Sequence, residues 1–368
     1  MYDTQFFQKT YELKQQIIAG KKNSLDWHEI FDEFERLRRR QPMVFNIETT
    51  SYCNMKCVMC QRTTDMQRKP SHMSMEVFQR IVEQMPAMPA TQFEDWQRFV
   101  DSNLRTDSKP SENNFYFDVV ANGVTLHGFG EPLLDPLLPE RVAMLREKNI
   151  NSYFSANPCN IKLPFIKKLF EAGVSHIKFA MDSLDDDVAR KIRGGPADFT
   201  ESYRKVLEVL KLKKDMKAET TIVMTMLDMS GDPAVLPSFI DLWKDKDVYA
   251  YGKSIDNQWL LKTKEKAEAK TAAEASNKSH YQKQYCEFPW TSVTIMDNGN
   301  VVPCTQDINC TWTFGNVMEQ SLEEIWNGKK FDEFRKLHMS KDYPQNFMCH
   351  EKCDLNLLSY FYSDRDSE

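Results

Sequence analysis

From about residue 42 to residue 253 the chain alternates between short apolar segments and longer amphipathic segments. The apolar segments have the length and composition of buried strands, and the amphipathic segments repeat their apolar residues with helical spacing. Six strands are predicted, beginning near residues 42, 124, 152, 176, 220 and 248. Repeated strand–helix units predict an α/β fold with one parallel sheet covered by helices.

The remaining chain divides by composition. We expect a helical extension over residues 1–41, the α/β unit over residues 42–253, a polar linker or helix over residues 254–285, and a small cysteine-rich module over residues 286–368. Within the α/β unit, the Pro, Ser, Asn and Asp content of residues 86–122 predicts a loop-rich insertion. Such a loop either shapes a substrate entrance or is a surface excursion without a catalytic role.

Composition argues against several classes of protein. The 368 residues carry a net charge of −6 without a dominant basic patch, which argues against nucleic-acid binding as the main function. No apolar run approaches the about 18 residues of a membrane span, and the polar first 40 residues do not resemble a secretory signal. We therefore expect a cytoplasmic protein without a membrane or nucleic-acid partner.

Three cysteines follow the first predicted strand. Cys53, Cys57 and Cys60 are separated by gaps of three and two residues, in a tight loop expected to aim their sulfurs at one point. Three thiolates suit three irons of a [4Fe–4S] cluster and leave the fourth iron open to an external ligand. Zinc is an alternative, although structural zinc sites prefer four ligands. Three unconnected thiols are the remaining alternative.

A second group of cysteines lies in the C-terminal module. Its members are Cys286, Cys304, Cys310, Cys349 and Cys353. The Asn-Gly pair at residues 298–299, between two apolar runs, predicts a hairpin that brings the first two of these cysteines together. Several cysteines in a small, turn-rich module indicate a metal that replaces a hydrophobic core. Their spacing leaves both zinc and [4Fe–4S] open.

The C-x3-C-x2-C loop after a first strand resembles the radical S-adenosylmethionine (radical SAM) superfamily. In that family the open iron chelates SAM, and an electron from the cluster splits SAM into methionine and a 5′-deoxyadenosyl radical. The resemblance covers about residues 42–355 and implies a partial (β/α)6 barrel of the TIM type. The C-terminal module resembles the SPASM/twitch extension, which carries auxiliary [4Fe–4S] clusters.

The resemblance also implies a set of SAM-binding residues. They are Met59, Gly130, Glu131, Ser155, Asn157, Asp182 and Arg193. Gly130 and Glu131 match a Gly-Gly-Glu motif that holds the SAM ammonium, with Phe129 in place of its first glycine. Arg193, in the string Ile-Arg-Gly-Gly, would neutralise the SAM carboxylate through its planar fork of donors. The alternative for Arg193 is a solvated surface charge. Met59 would pack on the adenine of SAM.

The same resemblance implies the cluster ligands. Cys53, Cys57 and Cys60 would hold the SAM-cleaving cluster. One auxiliary cluster is expected, because the C-x2-C-x5-C-x3-C run of two-cluster members is missing. Its expected ligands are Cys286, Cys304, Cys349 and Cys353, with Cys310 as the alternative fourth ligand. Cys159 is expected to be a small buried apolar residue, with a hydrogen-donating thiol as the alternative.

The implied function is hydrogen abstraction from a small molecule such as a sugar, nucleotide sugar or amino acid. An auxiliary cluster would assist a net oxidation, and flavodoxin or ferredoxin would donate electrons. One alternative is a peptide-modifying maturase that forms thioethers or epimerises residues, although no segment resembles a peptide-recognition domain. A non-catalytic metal-binding scaffold is the alternative from another class. No residue stands out as a general base.

Overall fold

The computed structural model describes residues 1–18, 21, 27–254, 286–340 and 342. The predicted linker, apart from its first residue, and the cysteines at positions 349 and 353 lie outside these residues. None of the described helices combines the length and the apolar character that a bilayer crossing requires.

The helices of the N-terminal extension and most helices of the α/β unit lie where the amphipathic segments predict them. In chain order they are α1 (Thr4–Ile18), α2 (Trp27–Leu37), α3 (Gln61–Thr64), α4 (Met75–Gln84), α5 (Ala90–Asn103), α6 (Glu112–Phe115), α7 (Leu138–Glu147), α8 (Leu163–Glu171), α9 (Asp186–Arg193), α10 (Phe199–Met216), α11 (Val235–Trp243), α12 (Phe288–Thr291), α13 (Leu322–Trp326) and α14 (Lys329–Ser340). The predicted cap of α4 is present, since the Ser74 side chain accepts a hydrogen bond from the Val77 amide.

The described strands form one sheet. They are β1 (Met43–Ile47), β2 (Gly123–Thr125), β3 (Asn151–Ala156), β4 (His176–Ala180), β5 (Thr221–Asp228), β6 (Tyr249–Ser254), β7 (Ser292–Ile295), β8 (Asn300–Val302) and β9 (Gly315–Asn316). Their order is β6-β5-β4-β3-β2-β1-β7-β8-β9, and β1 to β6 pair in parallel with their sequence neighbours. The predicted six-stranded partial barrel of the TIM type is confirmed.

The C-terminal module continues the sheet of the barrel. Strand β7 pairs in parallel with β1, with Met43 opposite Ser292 and Ile47 opposite Ile295. It then forms an antiparallel hairpin with β8. The predicted Asn-Gly turn is confirmed, because Gly299 has a φ of +84°, a conformation that glycine adopts without steric cost. The second cysteine group therefore begins beside the strand that leads into the first group.

The two faces of the sheet pack against different partners. Phe154, Ile177 and Phe179 face outward, into a core shared with apolar residues of α4, α7, α8, α10 and α11. The alternate residues face the concave side, which we call the barrel lumen. Tyr153 and Val223 belong there to a second, aromatic-rich core. This alternation is the two-residue period of strands, with both faces covered.

The prediction of a loop-rich insertion at residues 86–122 is wrong. Helices α5 and α6 and a π-helix at Tyr116–Val120 occupy most of it. The buried residues of α5 are Gln92, Trp96 and Val100, which recur at intervals of four and form one helical face. The turn-forming residues on which the expectation rested are concentrated at residues 105–111, between the helices.

The two N-terminal helices are packing elements. Phe6 of α1 and Phe34 of α2 pack edge to face, 5.1 Å apart, in a core with Trp290 and Met339. Lys14 of α1 forms a buried ion pair with Glu287, just before α12. The apolar faces of these helices are therefore occupied by the body of the protein.

A buried ion pair at the start of α7 is hydrogen-bonded to the segment that precedes α4. The Arg141 side chain is inaccessible to solvent, its Nε donates to Asp135 Oδ2 at 2.9 Å, and its Nη2 donates to the Met73 carbonyl. The guanidinium lies 5.0 Å from the centre of the Phe78 ring. Removing one partner of such a pair leaves a charge without water and without compensation.

We therefore expect Asp135→Asn to lower the free energy of unfolding by about 3 kcal/mol, because it leaves the Arg141 charge uncompensated. The control is Glu171→Gln, which breaks the exposed Lys167–Glu171 pair and should cost less than about 1 kcal/mol. Urea unfolding of both variants measures the difference. Equal losses in the two variants would show that the buried pair does not stabilise this layer.

Candidate active site

The three-cysteine loop follows β1 at the carboxyl ends of the parallel strands, the end at which such barrels keep their chemistry. Cys53, Cys57 and Cys60 are half-buried and free of disulfide bonds. Burial raises the pKa of Cys57 to about 11; the Arg193 charge opposes this rise, and the neighbouring thiols add to it. Metal binding at these cysteines therefore has to displace protons from the thiols.

The structure does not bring the three sulfurs to one point. Among the described residues, no group of three or more His, Cys, Asp or Glu side chains is placed to hold a metal ion. The cysteines of an iron–sulfur cluster bind separate irons, so their sulfurs need not converge as the ligands of one ion do. Whether the loop can hold a cluster and its ligand therefore depends on the groups that surround it.

The end of α9 forms one wall of the loop. The Lys56 amide donates to the Arg193 carbonyl at 2.9 Å. The amide two residues after Lys56 donates a second hydrogen bond of the same length to a carbonyl of α9. Gly194 and Gly195 follow with φ values of +60° and +58°. A Cβ on Gly195 would lie 2.6 Å from the Asn54 carbonyl oxygen. Only glycine permits this close contact between backbones.

The second wall is the turn after β2. The Glu131 amide donates to the Tyr52 carbonyl at 2.8 Å. A Cβ on Gly130 would overlap the Thr50 carbonyl oxygen and lie 2.6 Å from the carbonyl carbon. The intact half of the predicted Gly-Gly-Glu motif thus lies directly against the cysteine loop, and its glycine is required by packing.

Glu131 is held in a defined orientation under the loop. Its carboxylate accepts hydrogen bonds from the amides of Asn157 at 2.9 Å and Leu133 at 3.2 Å. Burial raises the pKa of Glu131 to about 7, against the lowering effect of these bonds and of Arg193. A nearby cation would favour the ionised carboxylate. This environment fits the ammonium group expected from the sequence.

Arg193 lies in a cleft between the ends of β3 and β4 and helix α9. Its Nη2 pairs with Asp182 Oδ2 at 2.5 Å, and Asn157 lines the same cleft. In the described part of the chain, Arg193 Nε and Asn157 Nδ2 are buried without hydrogen-bond partners. Two such donors fit a carboxylate or hydroxyl ligand, since buried polar groups are normally paired. Arg193 is therefore not the solvated surface charge of the alternative reading.

The other predicted SAM-binding residues are not among those that line this cleft. Met59 is half-buried within the cysteine loop. The Ser155 amide donates to His127 Nδ1 at 3.1 Å. The structure thus brings Asn157, Asp182 and Arg193 together, with Gly130 and Glu131 under the cysteine loop.

The second group of cysteines is divided between two environments. Cys304 is buried in the aromatic-rich core of the lumen, and Cys286 packs against the same core. Cys310 has a φ of +54°. Burial raises the pKa of Cys310 to about 11, and the charges that act on it are Arg68, Asp307, Glu48 and Asp297. The two cysteines at the hairpin thus pack into one core, and Cys310 lies beside a charged network.

That network is centred on Arg68, which sequence reasoning missed. The guanidinium pairs with Glu48 at 2.5 Å and with Asp297 at 2.9 Å, and its Nε donates to the Ile308 carbonyl at 2.6 Å. Glu48 also accepts from the Phe129 amide at 2.9 Å. One side chain therefore joins the end of β1, the turn after β2, the hairpin and the loop before Cys310. A carboxylate directly after a strand was the only sequence signal.

Direct hydrogen bonds also join the two cysteine regions. Gln61, next to Cys60, donates to the Gln306 side chain at 2.8 Å. The Gln67 amide donates to Asn309 Oδ1 at 2.8 Å, and Asn309 Nδ2 donates to the Asp65 carbonyl at 2.9 Å. The segment after the first group therefore packs on the segment between Cys304 and Cys310.

Comparisons with known families agree with this arrangement. A model described as the radical SAM superfamily matches residues 120–236, which follow the cysteine loop. A second model, SPASM, described as an iron-sulfur cluster-binding domain, matches residues 286–354. The second match includes all five cysteines of the C-terminal group.

Two relatives and one solved structure place the chain among known proteins. It is 22% identical over 350 residues, 84% of this chain and 88% of the relative, to a tungsten-containing aldehyde ferredoxin oxidoreductase cofactor-modifying protein of Pyrococcus furiosus. It is 38% identical over 52 residues, 14% of this chain and 21% of the relative, to an S-adenosyl-L-methionine-dependent 2-deoxy-scyllo-inosamine dehydrogenase of Niallia circulans. Streptococcus suis SuiB bound to precursor peptide SuiA has a TM-score of 0.53 at 13% identity, covering 90% of this chain and 79% of that one. That likeness shows a shared fold.

The Arg68 network predicts a pH-dependent stability. Arg68→Met leaves Glu48 and Asp297 buried without their cation, which should lower the free energy of unfolding by about 3–5 kcal/mol near neutral pH. Burial raises the pKa of Glu48, and Arg68 opposes that rise. Without Arg68 the pKa rises further, so protonation relieves the cost at low pH. The loss should therefore be smaller at about pH 5 than at about pH 8.

Denaturant unfolding at both pH values measures this dependence. Arg98→Met, which breaks the exposed Arg98–Asp95 pair, is the control and should change stability by less than about 1 kcal/mol at either pH. A pH-independent loss in Arg68→Met would contradict the role of the two carboxylates.

Proposed function

Since this chain belongs to the radical SAM superfamily and carries an iron–sulfur SPASM domain, we propose that it abstracts hydrogen from a small-molecule substrate and oxidises that substrate by two electrons. The observation that carries the proposal is the packing of the cysteine loop. Its backbone lies against the Gly130–Glu131 turn and against the Gly194–Gly195 pair, at the carboxyl ends of the strands. Neither contact is needed for a loop that only binds a structural metal.

Each motif around the loop has a separate role in this proposal. Cys53, Cys57 and Cys60 hold the SAM-binding cluster as thiolates. When bound, that cluster supplies the electron that splits SAM into methionine and the 5′-deoxyadenosyl radical. Arg193 binds the SAM carboxylate through its free Nε, and Glu131 binds the ammonium in its ionised form.

The remaining predicted residues complete the SAM site in this proposal. Asn157 donates from its free Nδ2, and Asp182 orients the Arg193 guanidinium by its ion pair. Ser155 contacts the ribose side of SAM, and Met59 packs on the adenine through its flexible thioether.

The SPASM domain provides the electron acceptor in this proposal. One auxiliary cluster is bound by Cys286, Cys304, Cys349 and Cys353. The shared core around the first two cysteines supports this ligand set, and the charged surroundings of Cys310 favour a separate role for that cysteine. A fully cysteine-ligated cluster suits electron transfer, because it has no open iron for substrate.

Two observations favour a small molecule over a peptide. The apolar faces of α1 and α2 are occupied by the body of the protein, so these helices do not offer a groove for a peptide. The relative from Niallia circulans is named as a 2-deoxy-scyllo-inosamine dehydrogenase, and that from Pyrococcus furiosus as a cofactor-modifying protein. We therefore propose a small-molecule substrate for this chain, with flavodoxin or ferredoxin as the electron donor.

The first prediction concerns SAM cleavage. Replacing Cys53, Cys57 and Cys60 together by Ala should abolish 5′-deoxyadenosine formation by the anaerobically reconstituted enzyme with dithionite, because the cluster loses its ligands. Cys159→Ala is the control, since its sulfur lies beside the loop, 3.8 Å from Met55 Sδ, and it should retain cleavage. Continued formation of 5′-deoxyadenosine by the triple variant would contradict the assignment of these cysteines as cluster ligands.

The second prediction concerns the auxiliary cluster. Cys304→Ala should lose about four irons per chain, because a [4Fe–4S] cluster loses one of its ligands, and should retain some uncoupled SAM cleavage. Cys310→Ala should keep its iron. Zinc in place of iron at this site would contradict the electron-accepting role. Loss of iron in Cys310→Ala together with retention in Cys353→Ala would instead exchange these two ligands.

A further inference from the structure

The barrel lumen contains a lysine that the proposed chemistry does not use. Lys178 lies in the middle of β4, in register with Ser155 of β3 and Val223 of β5. Residues in register on parallel strands face the same side, so Lys178 shares the lumen with Val223. Its ammonium lies 5.0 Å from the centre of the Phe115 ring. The side chain is enclosed by the barrel but keeps part of its surface accessible.

Aromatic side chains form the walls of this part of the lumen. The Phe115 ring lies 5.7 Å from Tyr153 and 5.6 Å from Tyr251. Tyr153 in turn lies 5.6 Å from the His127 ring. Phe115 belongs to α6, so residues 86–122 supply the ring that the Lys178 ammonium contacts.

Lys178 has no hydrogen bond or ion pair with any residue that the structure describes. The two carboxylates that act on it are paired elsewhere, Glu112 with Lys253 at 2.5 Å and Asp182 with Arg193 at 2.5 Å. Burial and Lys178 itself lower the pKa of His127 to about 3, so this ring is neutral and supplies no compensating charge.

Enclosing a cation without an anionic partner costs free energy, because the ammonium loses its hydration to apolar surroundings. The same burial, with a smaller contribution from the Lys253 charge, lowers the pKa of Lys178 to about 8, against the raising effect of Glu112 and Asp182. An anion placed beside the ammonium would restore a charge-assisted hydrogen bond and favour the protonated form.

We propose that Lys178 binds an anionic group of the substrate, a carboxylate or a phosphate, inside the aromatic lumen. This inference rests on the proposed function, because it takes the lumen as the substrate site. The apolar rings around the lysine accommodate the uncharged body of the molecule. The substrate class is therefore a small compound that carries one acidic group.

The test is competitive labelling with trace acetic anhydride, read residue by residue by mass spectrometry on the anaerobically reconstituted full-length protein with SAM. Acetic anhydride modifies the neutral amine, so the rate follows deprotonation. Lys178 labelling should rise to a plateau with a midpoint near pH 8. Lys167, an exposed lysine, is the internal standard against which the labelling rate of Lys178 is compared at each pH.

The probes are inorganic phosphate and acetate, each compared with chloride at equal ionic strength. Binding should slow the labelling of Lys178 at least about twofold once half of the sites are filled, and should leave Lys167 unchanged. Protection by phosphate alone indicates a phosphate ester, and protection by acetate a carboxylate. No protection by either probe, or no labelling of Lys178 at any pH, overturns the proposal.

A variant separates this inference from the proposed function. Lys178→Met should keep the uncoupled formation of 5′-deoxyadenosine, because the cysteine loop and Arg193 are untouched. Loss of cleavage in Lys178→Met would show that the lysine supports the SAM site and would overturn its assignment to the substrate. Anion protection of Lys178 in a wild-type protein that forms no 5′-deoxyadenosine would instead uphold the anion site and reject the proposed radical chemistry.

Discussion

Contact between backbones is the constraint on which the active site depends. The cysteine loop lies against two other turns without intervening side chains, and a methyl group at Gly130 or Gly195 would collide with its carbonyl groups. Such contacts fix the path of the loop more rigidly than side chains can, because peptide groups have no rotamers. The half-buried cysteines therefore inherit their positions from the barrel, and the turns that carry Glu131 and Arg193 are positioned by the same contacts.

Much of this architecture could be predicted from local signals. The strand–helix alternation, the Ser74 cap and the Asn-Gly turn each depend on residues a few positions apart, so a linear reading captures them. The position of Arg193 directly before the Gly194–Gly195 turn could also be predicted, because the three residues are consecutive in the sequence. Cys304 follows a hairpin whose turn is explicit in the sequence.

The rest depends on contacts between distant segments. Arg68 joins partners at positions 48, 297 and 308, and no periodic pattern connects these residues. The helices at residues 90–115 were misread because the turn-forming residues between them masked the four-residue spacing of the buried side of α5. Lys178 occupies an alternate position in a strand, where a charge reads as solvent-facing unless the closure of the barrel is known.

The pairing of β7 with β1 has a consequence for the biosynthesis of the protein. Until Ser292–Ile295 has left the ribosome, β1 has β2 as its sole pairing partner among the described strands, and its other edge is open. Open strand edges are the parts of a nascent chain most prone to pair with other molecules. Asp297 is synthesised just after this segment, so the ion pair between Arg68 and Asp297 can form only then. The cysteine loop is thus translated early but acquires its final surroundings late, after most of the chain has emerged.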